Sequence, residues 1–565
     1  MPSDETQHDG SGTASAGHRR RTVIIGAGIA GLATAALLAR EGDAVTVLET
    51  SDTVGGRVGT WQSDGFRFDT GPSWYLMPEV FEHFYRMLGT DVAHELQLVT
   101  LDPGYRLYFE PDTAGDSATM DIPAGRERVR ALFERTEPGA GARLDAYLDS
   151  AADAYRLSLQ RFLYTSFESK RELFSRELLI RLPHLSKLLS TSLERYIAAS
   201  FHDPRLRQVL GYPAVFLGSS PSKTPALYHL MSHLDLDAGV LYPRGGFRLI
   251  IDGMERLARE AGVEILTGAH ATAILTDPPT TRSGPTKRSA RRRHRAAVRG
   301  VAYQSGGTDH TVDADVVVSA ADLHHTETTL LPPNLQSYPQ KWWKHRTPGP
   351  GAVLVLLGVQ GALPELAHHT LFFTRDWHAN FGAIFDAPAS IPDPASIYVC
   401  RPSATDDSVA PAGEENLFVL VPVPADPTIG HGGVAGTGSE LVERTADTAI
   451  AQIAIWAGIP DLAERVVVRR TIGPADFADD LNAWGGTALG PAHTLRQSAF
   501  LRGSNASRRV AGLYFAGGST LPGIGLPMCL ISAELVVKRL RGDRTAGPLP
   551  EPRLEVDIAS GLESV

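Results

Sequence analysis

The hydrophobic pattern is clearest near the amino end of the chain. Residues Thr22–Ile25 are all apolar or β-branched, which predicts a short buried strand. An Ala- and Leu-rich stretch that ends at Arg40 predicts a helix, and Ala44–Leu48 predicts a second strand. The order strand, helix, strand is that of a βαβ unit, so this part of the chain is expected to belong to a parallel α/β sheet.

Three glycines stand at the turn between the first strand and the helix. Gly26 permits a tight turn, Gly28 lets the backbone approach a pyrophosphate, and Gly31 lets the helix pack closely on the sheet. The helix N-terminus then offers free N–H groups and a positive dipole end to phosphate. Glu49 follows Gly26 by 23 residues, close to the spacing of an acid that binds a ribose 2′-hydroxyl. A carboxylate there repels a 2′-phosphate, so the pattern predicts a dinucleotide other than NADP.

A signal peptide or membrane anchor is the alternative interpretation of this stretch. Three arginines, Arg19–Arg21, precede 18 uncharged residues. The stretch is rich in Gly and Ala, however, and it lacks a stop-transfer flank. Cleavage would also remove the nucleotide fold that later motifs require, so the dinucleotide site is favoured.

The composition restricts the class of protein. A chain of 565 residues is long enough for two or more domains, and 21% charged residues is an ordinary fraction for a globular protein. The formal net charge of −10 argues against a general nucleic-acid binder. Only two cysteines occur, Cys400 and Cys529, which argues against a disulfide scaffold and a cysteine metal cluster. This cysteine usage fits a reducing cytoplasm, and no metal site is predicted.

Changes in pattern along the chain predict two interleaved domains. Strands and helices alternate in three separate segments. Helical periodicity dominates one of the two intervening segments, and the other is rich in proline and contains predicted strands. Predicted strands in the latter are Val353–Val359 and Leu417–Val423. The polar, Gly/Ser-rich amino terminus is expected to be disordered. The predicted units are a tail (1–20), a discontinuous nucleotide-binding domain (21–91, 240–323 and 483–545), a second α+β domain (92–239 and 324–482) and a C-terminal tail (546–565).

Two segments have alternative interpretations that involve a membrane. Leu173–Leu193 carries leucines at helical spacing, interrupted by Pro183, and is either a core-facing helix pair or a membrane-facing surface. The basic run Lys287–Arg295 is either a solvated hairpin insertion or a contact with anionic lipid. No further stretch has the length and apolarity of a membrane span, so any membrane contact is expected to be peripheral.

Further glycine-rich segments extend the predicted nucleotide site. Gly55 and Gly56 let a loop backbone pass close to a cofactor, and the adjacent Arg57 can reach phosphate. The segment Gly512–Cys529 repeats the order strand, glycine turn, helix. A second helix N-terminus aimed at the cofactor suits a flavin, because reduction places negative charge on the ring edge that a helix dipole stabilises. For Cys529, which lies near this helix end, a packing role is favoured over a covalent flavin link.

The motifs GAGIAG, VGGR, FRFDTGPS, YPRGGF, DVVVSAAD and FAGGSTLPGIGLPM occur in this order. Together they resemble the bacterial-type phytoene desaturases, which are FAD-dependent enzymes of the flavin amine-oxidase-like superfamily. The resemblance runs from Thr22 to Leu540 apart from the basic insertion. It implies a Rossmann-like FAD-binding α/β domain and an α+β domain that faces substrate and membrane. The residues implied for the ADP half of FAD are Gly26, Gly28, Gly31, Glu49, Gly56 and Arg57, and those for the ribityl chain and ring are Gly517, Gly518, Pro522, Gly523 and Gly525.

The resemblance also implies a reaction. The expected activity introduces C=C bonds into phytoene, towards lycopene, by hydride transfer to the flavin. Gly430–Ala435 lacks the third glycine of a dinucleotide turn and is predicted to be a surface loop. With no second NAD(P) site, a quinone or dioxygen is the expected electron acceptor. The expected location is the cytoplasm, at the inner face of the cell membrane.

Other functions remain open from sequence. One is a flavin amine oxidase with a polar substrate, and another is a different carotenoid or prenyl-lipid oxidoreductase, such as a diapophytoene or hydroxy-carotenoid desaturase. A non-catalytic prenyl-lipid carrier would be expected to lack the flavin motifs, which are intact here. No catalytic acid or base is identified. Asp69 and Arg244 lie in the motifs, but structural roles are favoured for both.

Overall fold

The computed structural model describes residues 19–112, 117–168, 176–278 and 295–552. Most of the amino-terminal tail and of the basic run therefore lies outside the described residues. In chain order, the strands are β1 (Arg21–Ile25), β2 (Ala44–Leu48), β3 (Thr60–Ser63), β4 (Phe66–Asp69), β5 (Leu98–Thr100), β6 (Tyr105–Phe109), β7 (Thr119–Ile122), β8 (Leu241–Pro243), β9 (Glu264–Leu266), β10 (His270–Asp277), β11 (Ala296–Ser305), β12 (Thr308–Asp313), β13 (Val316–Ser319), β14 (Gly351–Gln360), β15 (His369–Phe373), β16 (Ile397–Cys400), β17 (Glu414–Val423), β18 (Val466–Ile472), β19 (Val510–Ala511) and β20 (Leu513–Phe515).

In addition to short 3₁₀ and π turns, the described residues also form α-helices. They are α1 (Ile29–Arg40), α2 (Pro78–Met87), α3 (Val92–Glu95), α4 (Arg126–Thr136), α5 (Ala140–Ser158), α6 (Arg176–Ser190), α7 (Leu193–Ala198), α8 (Pro204–Gly211), α9 (Met231–Leu236), α10 (Arg248–Glu260), α11 (Leu323–Thr328), α12 (Gln340–Trp343), α13 (Trp377–Phe385), α14 (Glu440–Ala457), α15 (Pro474–Leu481) and α16 (Leu526–Arg541).

A five-stranded parallel sheet has the order β20-β13-β1-β2-β9. Ile24 of β1 faces the core that contains α1, while Val23 and Ile25 face an antiparallel layer built from β10, β11 and β12. Because both faces are covered, the strands can be continuous apolar runs instead of alternating ones. The first eleven residues of α1, Ile29–Ala39, are buried between this sheet and helices α10 and α16. The predicted α/β fold with a Rossmann-like sheet is therefore confirmed.

A seven-stranded mixed sheet has the order β18-β14-β17-β16-β15-β6-β7. The predicted strands Val353–Val359 and Leu417–Val423 lie within β14 and β17, which pair antiparallel over ten residues each. Strands β6 and β7 extend the same sheet, although they come from the segment in which helical periodicity dominates. Strand β6 is parallel to β15 and buries Tyr105 and Leu107 completely. The two segments between the parts of the parallel sheet thus share one hydrogen-bonded sheet.

Helix α6 corresponds to the leucine-rich segment and continues through Pro183. Leu185 and Leu188 are buried, whereas Ile180 is 71% exposed and Leu182 is 54% exposed. The helix therefore buries some of its apolar side chains in the core and exposes others. Among the helices of the described chain, none combines the length and apolarity that a membrane span requires.

The close packing of α1 on the glycine turn gives a stability prediction. A Cβ on Gly31 would lie 1.9 Å from the carbonyl oxygen of Gly26, so the helix would have to move. We expect Gly31→Ala to destabilise the protein by about 1–3 kcal/mol, as overpacking does. The measurement is the midpoint of thermal unfolding with the flavin removed.

Gly253→Ala is the matched control, because Gly253 also lies inside a helix and its Cβ would have no contact closer than 3.5 Å. We expect this variant to be neutral or more stable by up to about 1 kcal/mol. Equal effects of the two substitutions would contradict the packing role of Gly31.

Candidate active site

A cavity of about 1420 Å³ extends from the carboxyl edge of the parallel sheet to the face of the seven-stranded sheet. Its volume exceeds the roughly 300–1,000 Å³ of an ordinary small-molecule pocket. One end is lined by the glycine turn after β1 and by Glu49, and the other end by aromatic and aliphatic side chains. The cavity therefore has room for a dinucleotide and a long apolar molecule placed end to end.

The turn between β1 and α1 shapes the first end. Gly26 has φ +96° and donates its N–H to the carbonyl of Leu48, at 2.8 Å. Gly28 has an ordinary φ of −71°, and a Cβ there would meet no protein atom closer than 3.8 Å. The protein itself therefore does not require a glycine at position 28. The missing side chain keeps the cavity open in front of the helix N-terminus, as the approach of a pyrophosphate requires.

Glu49 directly follows β2, and its carboxylate lies at the cavity wall. Its Oε2 accepts a hydrogen bond from the N–H of Ala27 at 2.6 Å, and its Oε1 accepts one from Ser51 at 2.9 Å. These bonds fix the carboxylate and leave lone pairs on both oxygens. This geometry suits the predicted contact with a ribose hydroxyl.

The loop Gly55–Arg57 lies directly against the first glycine turn. Gly55 donates its N–H to the carbonyl of Ala27 at 3.0 Å and forms a parallel bridge with Gly28. Arg57 donates from Nε to the carbonyl of Ala488 at 3.0 Å, while its Nη2 is buried without a hydrogen-bond partner among the described residues. A buried, unpaired guanidinium N–H costs free energy, so this group fits an oxygen of a bound cofactor.

The last glycine-rich turn supplies the opposite wall. Gly517, Gly518, Pro522 and Gly525 line the cavity, and α16 begins directly after Gly525. The N–H groups of the first turn of α16 have no partner within the helix, and its dipole places partial positive charge at the cavity. Two helix N-termini, those of α1 and α16, therefore face the same space.

Two side chains that the motifs did not indicate hold this turn. Arg502 is buried and donates from Nε to the carbonyl of Thr520 at 2.9 Å. His493 accepts the N–H of Ile524 on Nε2 at 3.2 Å. A Cβ on Gly523 would lie 2.2 Å from the His493 ring, so the position of this ring explains why a glycine is required at 523. No local sequence pattern indicates either residue, because each binds backbone that is distant in the sequence and that only the fold brings near.

Nine of the eleven predicted cofactor residues line the cavity. Gly31 and Gly523 are outside the lining, and each is explained by packing inside the protein. The nine are Gly26, Gly28, Glu49, Gly56, Arg57, Gly517, Gly518, Pro522 and Gly525.

Three other residues of the sequence motifs, Asp69, Arg244 and Cys529, have surroundings that are typical of structural residues. Asp69 accepts the N–H of Phe247 at 2.7 Å, and burial raises its pKa to about 6. Arg244 is exposed and donates to the carbonyl of Thr405 at 3.4 Å. Burial raises the pKa of the Cys529 thiol to about 11, so it is protonated and weakly nucleophilic at neutral pH. These contacts support structural roles for Asp69 and Arg244 and a packing role for Cys529.

Comparison with known families gives the decisive match. Residues 29–541 match the family model described as flavin containing amine oxidoreductase. The chain belongs to this family. Its cofactor is FAD, and it is an FAD-dependent oxidoreductase. The open space at Gly28, the unpaired Arg57 and the two helix N-termini fit this cofactor.

Similar proteins include several carotenoid enzymes. The chain is 39% identical to a carotenoid 3,4-desaturase of Haloarcula japonica, over 92% of this chain and 98% of that protein. It is 36% identical to a zeta-carotene-forming phytoene desaturase of Myxococcus xanthus, over 92% and 94%. A phytoene desaturase of Fusarium fujikuroi is 30% identical, over 93% and 90%. The resemblance inferred from the motifs is thus confirmed.

Solved structures show the same fold at low sequence identity. An oxidoreductase of Methanosarcina mazei aligns with a TM-score of 0.55 at 16% identity, over 92% of this chain and all of that chain. A putrescine oxidase with bound putrescine aligns with a TM-score of 0.54 at 15% identity, over 93% and 99%. At this identity the likeness establishes the fold alone.

The geometry at Gly28 gives a test of the cofactor site. The side chain of Gly28→Val would occupy the open space in front of the N-terminus of α1 without a backbone clash. We expect the variant to fold and to be purified without flavin. The measurement is the flavin absorbance per protein, with circular dichroism and thermal unfolding of the apoprotein as the control for folding.

A Gly28→Val protein that retains the flavin content of the wild type would show that the pyrophosphate lies elsewhere. The comparison with Gly31→Ala separates two effects, because that change acts on packing first and on the cofactor only through it.

Proposed function

We propose that the protein is an FAD-dependent carotenoid desaturase, which removes two hydrogens from a CH–CH bond of a long polyene. The observation that carries this proposal is the apolar cavity that continues directly from the dinucleotide end. The names of the similar proteins support it, since the three described above are carotenoid desaturases.

The lining beyond the flavin end is suited to a hydrocarbon. A substrate without polar groups binds through burial of its surface, at roughly 25 cal/mol per Å². Large aromatic and aliphatic side chains form this part of the wall and leave few charges to desolvate. They include Trp74, Phe162, Phe167, Leu185, Phe216, Leu227, Leu371, Phe373, Trp377, Phe418 and Phe500.

The protein contributes position and exclusion of water. The bound flavin supplies the acceptor for two electrons and one hydrogen. The N-terminus of α16 stands where it can stabilise negative charge on a bound ring, and Arg57 has an N–H, unpaired among the described residues, for a cofactor phosphate. The apolar walls hold the polyene chain in register and keep water away from the cation that forms on it.

The substrate proposed here is phytoene, with lycopene as the expected product. A hydroxylated or shorter carotenoid is the second candidate, and it is supported by the name of the 39% identical relative. A flavin amine oxidase is less well supported, because aromatic and aliphatic side chains form most of the wall beyond the flavin end, although Ser73, Tyr398 and three carboxylates of α15 also line the cavity.

The cavity opens towards solvent through apolar residues. Leu189 of α6 and the neighbouring residues Leu495, Phe500 and Leu501 line the cavity and are exposed. Leu182 lies on the same face of α6 as Leu189, seven residues later, and Ile180 adds a further exposed apolar side chain to the helix. Exposed apolar patches of this kind mark contact surfaces, and a bilayer is where a carotenoid dissolves. We infer peripheral docking of this surface on the inner face of the cell membrane.

The proposed electron acceptor is a quinone or dioxygen. The predicted surface loop Gly430–Ala435 packs on β18, and a Cβ on Gly432 would lie 2.0 Å from the carbonyl of Thr471. This close backbone packing supports the prediction of a surface loop. A membrane-docked enzyme has quinones within reach.

Docking can be tested on side chains outside the cavity lining. We expect the double variant Ile180→Gln/Leu182→Gln to bind liposomes at least about tenfold more weakly, because each side chain loses roughly 1.5 kcal/mol of burial. The measurement is co-sedimentation with liposomes that contain anionic lipid. Ile455→Gln is the control, since Ile455 is also 71% exposed but lies on α14, away from the cavity.

Equal loss with Ile455→Gln, or no loss with the double variant, would contradict docking through α6. The lipid contact of the basic run remains a separate prediction. Replacement of Arg291, Arg292, Arg293 and Arg295 by Gln should then make the liposome binding weaker and less sensitive to salt.

The reaction is tested anaerobically with phytoene in liposomes, the purified FAD protein, and either a benzoquinone or NADP. We expect coloured, conjugated product with the quinone and none with NADP, and no NADP consumption. Product analysis by chromatography then gives the number of bonds introduced.

Coloured product with NADP alone would overturn the proposed acceptor. Oxidation of a primary amine without any change in phytoene or a hydroxylated carotenoid would favour the amine oxidase.

A further inference from the structure

A hydrogen-bonded chain leads from the cavity wall into the seven-stranded sheet. The hydroxyl groups of Ser73 and Tyr398 lie 2.6 Å apart, and Tyr398 lies 2.8 Å from Nδ1 of His369. Ser73 and Tyr398 line the cavity, while His369 is completely buried behind them. The chain thus connects the apolar end of the cavity with an imidazole that has no access to solvent.

We propose that Ser73, Tyr398 and His369 form the proton acceptor of the desaturation, with His369 as its terminal base. This inference rests on the proposed function and deepens it. After the hydride is removed, a proton must still leave the neighbouring carbon. The three residues are proposed to accept this proton.

Desaturation removes a hydride and a proton from two adjacent carbons. A bound flavin would supply the hydride acceptor, and loss of the hydride leaves an allylic cation on the polyene. The C–H bond of the adjacent carbon then breaks, and its electron pair becomes the second bond of the new C=C. The released proton goes to Ser73 Oγ, the Ser73 proton goes to Tyr398, and the Tyr398 proton goes to Nδ1 of His369. The proposed quinone or dioxygen would be the final acceptor of the two electrons.

The surroundings of His369 suit a transient base. Burial, together with the neighbouring His368, holds the pKa of His369 well below its usual range, so the imidazole is unprotonated before each turnover. A carbocation is acidic enough to protonate such a weak base, and a weak base also releases its proton readily. Trp74 stacks on the ring with centroids 4.4 Å apart and planes inclined by 10°. An indole face stabilises an imidazolium.

The segment that carries Ser73 packs against the cofactor end of the cavity. A Cβ on Gly71, two residues earlier, would lie 1.8 Å from the carbonyl oxygen of Arg57. The segment that carries Ser73 is therefore packed without a gap against the loop that holds Arg57 at the cofactor end of the cavity.

Three other tyrosines of the cavity have an ionisable partner, but they are less suited. Tyr155 donates to Glu79, which is exposed to solvent. Tyr228 contacts Nδ1 of His493 at 3.0 Å, yet Nε2 of that ring already accepts the N–H of Ile524. Nδ1 therefore carries the proton and has no free lone pair. Tyr212 donates to Asp235 at 2.6 Å but is itself buried among aromatic rings.

The test uses the FAD-loaded enzyme in liposomes with phytoene and a benzoquinone. We expect Tyr398→Phe and His369→Ala to lower kcat by about a hundredfold, the lower end of general-base catalysis, with KM unchanged. Added imidazole should restore His369→Ala in proportion to its free-base concentration, because it can enter the space beside Trp74. A purely structural histidine would give no such rescue.

Flavin content and thermal midpoint of each variant show whether the fold and the cofactor site persist. Tyr108→Phe is the matched control, because this tyrosine of the same sheet donates to the carbonyl of Glu365 at 2.8 Å and lies outside the cavity lining. We expect it to retain the wild-type kcat.

Wild-type rates in Tyr398→Phe and His369→Ala would overturn the relay while the desaturase function stands. A large loss in Tyr212→Phe alone would move the base to Asp235 and equally overturn it. If the wild type itself converts no carotenoid, the proposed function fails, and the relay fails with it.

Discussion

The contact between two glycine-containing loops is the constraint on which the rest of the site depends. Gly28 and Gly55 lie backbone against backbone, joined by the hydrogen bond from Gly55 to Ala27. This contact fixes the position of the loop that carries Arg57. Gly71 packs in turn against the carbonyl of Arg57. A series of side-chain-free contacts therefore connects the dinucleotide turn with the wall of the substrate end. A side chain added at Gly71 would force these two loops apart, because its Cβ would lie 1.8 Å from the Arg57 carbonyl oxygen.

The opposite wall depends on buried polar side chains instead of glycines alone. Arg502, His493 and Asn505 bind carbonyl or N–H groups of the turn before α16, and Asn505 donates to the Leu521 carbonyl at 2.9 Å. Such buried hydrogen bonds are costly to break, so they hold the helix N-terminus in one orientation. The positive end of α16 can then act on a bound ring without reorganisation during the reaction.

Sequence analysis predicts most accurately the structural elements whose sequence patterns lie within a short stretch of the chain. The first βαβ unit was predicted within one residue at its strand boundaries, because glycines, apolar runs and Glu49 all lie within about one supersecondary unit. The sequence analysis does not predict β6 and β7, since β6 joins the sheet through β15, more than 250 residues away in sequence, and β7 pairs only with β6 among the described strands. The same reason hides Ser73 and Tyr398, which are 325 residues apart. Gly523 was assigned to the cofactor, but the ring that requires it belongs to His493.

The central claim is that a carotenoid delivers electrons directly to the flavin of this cavity. The most direct measurement mixes the purified FAD protein with phytoene liposomes under anaerobic conditions, with no other electron acceptor, and follows flavin absorbance and polyene absorbance together. The account predicts that the flavin is bleached as one new double bond appears per flavin. Bleaching by a primary amine but by none of phytoene, a hydroxylated carotenoid or a shorter carotenoid would contradict it.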